Sequence, residues 1–385
     1  MRGQDLNLGP SGYEPDELPD CSTPRREPNV YAMTTSEFLR SLPKAQLHCH
    51  LEGSVRAATF VELAGRYGVS TVYRPDGLQE AAGSPAGRAD DVYAFRDFAE
   101  FLYTFAVVCR SLKAPADYAR VLREYAHDAR EQGVIHAELF VSPSVWTFFH
   151  RELDPLAVFE ALAIEARNIA NDGGPQIAWI CDVTRNFGAE RAMETARVAV
   201  RAKEFGVIGV GLGGDEANFP APLFADVFAY ARANGLHAVA HAGEAAGPQS
   251  VRDAIETLGA ERIGHGIRAA GDPETLALLV EREVPLEICP TSNLRTGAVD
   301  SLDAHPLAEL ARSGVTVVLD TDDPAIFRTD LGAEYAIAQR LAGTDAAVRF
   351  ARTSLESSFA SAETKRAFLA AFDRVNAELG PSRRS

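Results

Sequence analysis

Ala45-Gln46-Leu47-His48-Cys49-His50, running into Leu51-Glu52-Gly53, is the stretch from which the rest of the chain can be read. It has the length of a strand, where residues two apart face the same side, so His48 and His50 point together and Cys49 points away. Two imidazoles at a strand end can converge on one ion. Such a pair is weak alone, because incidental and structural pairs are common. Its weight comes from what repeats downstream.

Seven further runs rich in Val, Ile and Leu follow, near 133–140, 176–182, 206–212, 236–241, 261–265, 284–288 and 315–320. Each is succeeded by a turn and a stretch of helical periodicity, the pattern of parallel β/α units. Eight units predict an α/β fold, a closed (β/α)8 TIM-type barrel rather than an open sheet. The segment 54–130 exceeds one crossover and predicts a helical insertion after strand 1. Within it Phe95, Phe98, Phe101, Leu102 and Phe105 stand at helical spacing. That stripe reads either as plain core or, for Phe98, Phe101 and Leu102, as a lid over an aromatic ligand.

Thr35-Ser36-Glu37-Phe38-Leu39 opens the first helix, and residues 35–380 are expected to form one barrel domain. Residues 1–30 are rich in Pro, Gly, Asp and Glu without apolar period, so the expectation there is disorder. They resemble a translated tRNA gene, which points to a start-site artefact. A hydrophobic share of 46% against 24% charged residues suits a large single core. The net charge of −16, with no basic cluster, argues against a nucleic-acid partner. No apolar run approaches a membrane span and no apolar signal core opens the chain, so the expected location is cytoplasmic. Cys21, Cys49, Cys109, Cys181 and Cys289 are odd in number and far apart, and read as reduced thiols rather than a disulfide frame or thiolate site. The oligomeric state is not legible.

Chemistry-bearing residues fall where strands end. His241-Ala242-Gly243-Glu244 closes the fifth strand, His265 in Arg262-Ile263-Gly264-His265-Gly266 ends the sixth, and Thr321-Asp322-Asp323-Pro324 ends the eighth. Each has a bland reading, His265 as a satisfied core histidine and Asp322 as a helix cap. In such a barrel all strand C-termini open onto one face, so clusters at strands one, five, six and eight meet in one pocket.

These residues resemble the adenosine deaminase family of the amidohydrolase superfamily over about residues 40–350. The motifs are Leu42 to Gly53, Gly211-Leu212-Gly213-Gly214-Asp215-Glu216, His241 to Glu244, His265-Gly266 and Thr321 to Pro324. The resemblance implies a metal-dependent hydrolase in which His48, His50, His241 and Asp322 hold one Zn2+ with a position left for water. It implies that His265 orients that water and accepts its proton, and that Glu244 is the general acid for the purine ring nitrogen. Asp323 would bond the imidazole edge of the purine, and the Gly214 N–H the opposite edge. The implied reaction converts a 6-aminopurine nucleoside, adenosine or deoxyadenosine, to the 6-oxo product and ammonia. Where two-metal relatives carry a carboxylated Lys at the fourth strand, this chain has Gly211 to Gly214, so one ion is expected. The H-x-E and P-C-x-x-C signature of cytidine-type deaminases is absent.

Glu52 departs from the pattern, because adenosine-specific members commonly carry the shorter Asp there to reach the sugar. It reads either as a substrate contact or as a carboxylate tying down the turn before Gly53. Aminodeoxyfutalosine deaminases of bacterial menaquinone synthesis have very similar motifs and supply the main rival substrate, with adenine another. A barrel retained only for binding predicts a missing ligand or acid, and none is missing. An amide- or ester-cleaving relative is disfavoured by Glu244 and by Asp323 beside Asp322.

Overall fold

A computed structural model of the chain describes residues 34–70 and 92–380. The expected disorder over residues 1–30 and the middle of the insertion lie outside the described residues.

Eight strands appear in the expected places: β1 Lys44–His50, β2 Val134–Val141, β3 Gln176–Thr184, β4 Val207–Gly213, β5 His237–Ala242, β6 Arg262–His265, β7 Leu286–Ile288 and β8 Val317–Leu319. Each pairs in parallel with the next, in the order β1 to β8. Helices cover the outside, so strands are buried on both faces, and every residue of β1 is buried. Phe140, Ile180 and Val239, from β2, β3 and β5, pack as one fully buried cluster.

The ring closes at its two ends by a single parallel bridge between Cys49 and Asp322. The His50 N–H donates to the Asp322 carbonyl at 2.9 Å, and the Asp322 N–H to the His48 carbonyl at 3.0 Å. The architecture is a (β/α)8 barrel.

The chain's own start signals set the helices. Thr34 and Glu37 cap helix α1, Thr35–Ser41, with reciprocal side-chain bonds. Pro115, Pro143, Pro155 and Pro273 each open a helix, where the missing N–H has no intrahelical partner to lose. The insertion between β1 and β2 holds α2 Ala57–Tyr67, α3 Phe98–Ser111 and α4 Pro115–Glu131. Helix α4 belongs to the outer ring, where Arg123 grips Glu165 on the neighbouring helix with two bonds of 2.7 Å. Phe95 corrects the expectation of one helical stripe. The Asp97 side chain accepts from the Glu100 N–H and so starts α3 at Phe98, leaving Phe95 before the helix. Phe95 still packs on Phe101 and Phe327, with ring centroids 5.8 Å away in each case.

Among the described residues no helix is long and apolar enough to cross a membrane. Cys49, Cys109, Cys181 and Cys289 are all buried and unpaired.

Candidate active site

The C-terminal ends of the strands surround a cavity of about 290 Å³. Its floor carries His50, His241, Glu244, His265, Asp322 and Asp323, brought together from four strand ends. His48 is fully buried beneath them.

Strand alternation sends His48 and His50 inward together. His50 Nε2 lies 3.2 Å from His241 Nε2 and 3.3 Å from Asp322 Oδ1, and His48 Nε2 lies 3.4 Å from the same oxygen. A tetrahedral zinc site with bonds of 2.0–2.1 Å has ligand-to-ligand edges of about 3.3 Å. One donor atom from each of His48, His50, His241 and Asp322 falls within 4.8 Å of all the others. His48 Nε2 is buried without a hydrogen-bond partner, an orphan that a cation at this point would satisfy. The donor set therefore fits a single divalent ion.

Partners behind the donors aim them. Glu287 Oε2 takes His48 Nδ1 at 2.8 Å, and the Leu212 carbonyl takes His241 Nδ1 at 3.1 Å, which leaves Nε2 of each ring facing the centre. Glu287 is held in turn by Arg262, whose other arm grips Glu138, both at 2.6 Å. Ser292 donates to Asp322 Oδ2 at 2.7 Å. Burial works to raise the Asp322 carboxyl, but the close imidazoles of His48 and His50 hold it well below the usual range. His50 goes the other way. Burial disfavours its cation, yet Asp323 and Asp322 raise its pKa to about 9, the mark of a pocket built for positive charge.

The backbone is unusual at the same place. His265 and Asp322 have φ of 61° and 63°, two of only four non-glycine residues with positive φ among the described residues. Such conformations cost free energy and persist where surroundings over-determine them. Gly53 is required by close approach, since a Cβ there would lie 1.8 Å from Asp323 Oδ1. Gly264 likewise leaves room for His48, whose Cε1 would be 2.5 Å from an added Cβ.

Glu244 stands with Oε2 3.5 Å from His265 Nε2. Burial pushes its carboxyl up to about 8, and the charges of Asp322 and Glu216 push the same way. Glu216 is an anchored anion, accepting the backbone N–H groups of Gly243, Glu244, Ala245 and Ala246 at 2.5–3.1 Å. Asp323 is buried with Oδ1 unpaired, and burial followed by the Asp322 charge raises its carboxyl.

Of the expected substrate contacts, Gly214, Phe98, Phe101 and Leu102 line the cavity. Glu52 does not. It is fully buried, with Oε1 accepting the Ser142 N–H at 2.9 Å and Trp146 Nε1 at 2.6 Å, and it helps seat the β2 end against β1.

Several contributors were not foreseen. Asp182 lines the cavity with Oδ1 unpaired, in space left by Gly211 and Gly213, where an added Cβ would meet its oxygens at 3.0 and 2.7 Å. Its place at the end of the third run was the available signal. Ser292 and Asn293 follow β7 on a helix opened by Pro290, and Glu287 lies within that strand, so the seventh run also ended in site residues.

Residues 43–375 match the family model described as adenosine deaminase. An aminodeoxyfutalosine deaminase of Streptomyces coelicolor is 39% identical over 361 residues, covering 92% of this chain and 88% of the relative. The crystal structure of an adenine deaminase from Arthrobacter aurescens superposes with TM-score 0.77 at 29% identity, over 86% of this chain and 98% of that one. An amidohydrolase from Burkhoderia ambifaria, crystallised with bound zinc, gives TM-score 0.78 at 25% identity over 91% and 96%. Family model, relatives and barrel fold agree, and the chain belongs to the adenosine deaminase family, whose members are hydrolases of C–N bonds.

Proposed function

We propose that the chain is a zinc-dependent deaminase that converts a 6-aminopurine nucleoside to the 6-oxo product and ammonia. The observation that carries this reading is Glu244, a buried carboxyl that keeps its proton near neutral pH, beside a cluster of four metal-type donors at and beneath the floor of one apolar cavity. His48, His50, His241 and Asp322 would hold one zinc ion, which when bound polarises water and lowers its pKa toward neutrality.

The residues around that position divide the remaining work. The Glu244 carboxyl donates its proton to the ring nitrogen as that nitrogen gains charge, which requires the raised pKa that burial gives it. Asp323 Oδ1 faces the imidazole edge of the purine, and Gly214 approaches the other edge without a side chain. Phe98, Phe101 and Phe105 exclude water along one wall, which strengthens every charge interaction inside. His265 sits between Glu244 and Asp322 and acts on the attacking oxygen.

Among nucleosides, one observation favours aminodeoxyfutalosine over adenosine. The outer wall carries Phe148, Phe149 and Phe187 in addition to α3, an apolar surface suited to a nucleoside whose sugar bears an aromatic extension. The buried, unpaired cysteines suit a reducing, cytoplasmic setting. The test is the ultraviolet shift from 6-amino to 6-oxo purine with zinc-loaded protein on adenosine, deoxyadenosine, adenine and aminodeoxyfutalosine. Turnover of aminodeoxyfutalosine with the highest kcat/KM supports the reading, and absence of turnover on all four refutes it.

A further inference from the structure

Behind His265 runs a line of groups that the chemistry above does not use. It begins at a donor that cannot rotate or flip, the backbone N–H of Leu307, which donates to His305 Nδ1 at 3.1 Å. A ring nitrogen that accepts a hydrogen bond carries no proton, and a neutral imidazole then carries its proton on the other nitrogen. His305 is 5% exposed, and burial lowers its pKa to about 4, so the ring is neutral. Its Nε2–H meets Asn293 Oδ1 at 3.1 Å.

With its oxygen engaged, the Asn293 amide turns Nδ2 toward His265 Nδ1 at 3.1 Å. An amide nitrogen only donates, so His265 Nδ1 is bare. His265 is wholly buried, and with Nδ1 bare its ring proton lies on Nε2. That atom has no hydrogen-bond partner and faces the cavity floor, 3.5 Å from Glu244 Oε2 and 3.9 Å from Asp322 Oδ2. The opposite amide orientation would set Asn293 Nδ2 against the His305 Nε2–H, donor against donor, with both groups buried. An unpaired pair of this kind costs about 1–3 kcal/mol per group.

We propose that the Leu307 N–H, His305 and Asn293 form a one-way hydrogen-bond relay that holds His265 as its Nε2–H tautomer. His265 then donates to the oxygen that attacks the purine and does not accept the proton of water, which would pass instead to Asp322 Oδ2, 3.9 Å from His265 Nε2, and from there to the amine that leaves as ammonia; this revises the role its family resemblance implied. Asn293 and His305 are positioning residues, acting only through His265. The inference rests on the deaminase reading for its consequence in turnover, while the tautomer itself is a property of the resting protein.

Nuclear magnetic resonance of the full-length, zinc-loaded protein labelled with ¹⁵N at histidine reads the tautomer directly from long-range ¹H–¹⁵N correlations. The His265 signals are assigned by their loss in His265→Gln. The expected pattern is a protonated Nε2 and a bare Nδ1. Asn293→Asp replaces the donor by an acceptor that satisfies both neighbouring rings, so His265 should invert to Nδ1–H with a bare Nε2. In turnover of whichever of the four purines the wild type converts fastest, kcat of that variant should fall about 10²-fold, as when one preorganised donor is removed, with KM and zinc content unchanged. A wild-type His265 protonated at Nδ1, or an unchanged tautomer in Asn293→Asp, overturns the relay. The spectra need no turnover, so failure of the relay and failure of the deaminase reading give different results.

Discussion

Replacing Glu244 by Gln keeps the shape of the side chain and removes its transferable proton. With a carboxyl pKa of about 8, roughly nine-tenths of the wild-type protein carries that proton at pH 7 and about a tenth at pH 9, so kcat should fall about tenfold between them. A cation on the neighbouring donors lowers the carboxyl pKa, which places this limb at or below pH 8. In Glu244→Gln the limb should vanish and kcat should drop by about 10²–10⁴ at pH 7, the usual contribution of a positioned acid. Zinc content should hold, because Glu244 is outside the donor set. Stability carries a second signature. A carboxyl raised from 4.5 when unfolded to about 8 when folded binds more protons in the native state, so its contribution is full below about pH 4.5 and is lost as pH rises to about 8. Glu244→Gln should flatten that part of the stability profile. Steady-state kinetics with pH-dependent denaturant melts measures both. Near-normal turnover, or an alkaline limb surviving in the variant, would refute the assignment of Glu244 as the acid.

Three further outcomes are expected. His241→Ala should lower zinc per chain and kcat together, and full metal content by atomic absorption would remove His241 from the donor set. Gly264→Ala puts a methyl group 2.5 Å from His48 Cε1 and should cost about 1–3 kcal/mol with weaker zinc binding; unchanged melting temperature and zinc affinity would show that His48 has room to yield. Phe101→Ala, at a side chain 7% exposed and packed 4.8 Å from Phe327, should raise KM for aminodeoxyfutalosine about tenfold with a smaller effect on adenine; equal effects on both would deny the phenylalanine wall a part in selecting the larger substrate.

The strands were legible because parallel strands buried on both faces leave continuous apolar runs, and turns punctuate them. Every expected run overlaps a strand, with β7 starting two residues late because Pro285 has no N–H to give a ladder. The donor residues were legible because they end those runs. What escaped were partners joined only by folding. Glu287 lies 239 positions from the His48 ring it holds, and Tyr125 and Thr321 meet across Gln46 by the same logic of distance. Asn293 and Ser292 hid in a short helix rather than in a strand. The start of α3 was missed because three-residue aromatic spacing runs on through Asp97, and only the side-chain bond to the Glu100 N–H marks the boundary.

The thin seam between the first and last strands has a consequence for how the molecule comes apart. Only one bridge laces the two ends of the ring, and it runs through Cys49 and Asp322, between and beside the donors themselves. A cation there is a clasp as well as a reagent, tying the opening and closing segments of the barrel where a single backbone bridge joins them. Chelation should therefore unfasten this edge first, seen as faster amide exchange at His50 and Asp322 while the β2–β3 ladder stays protected.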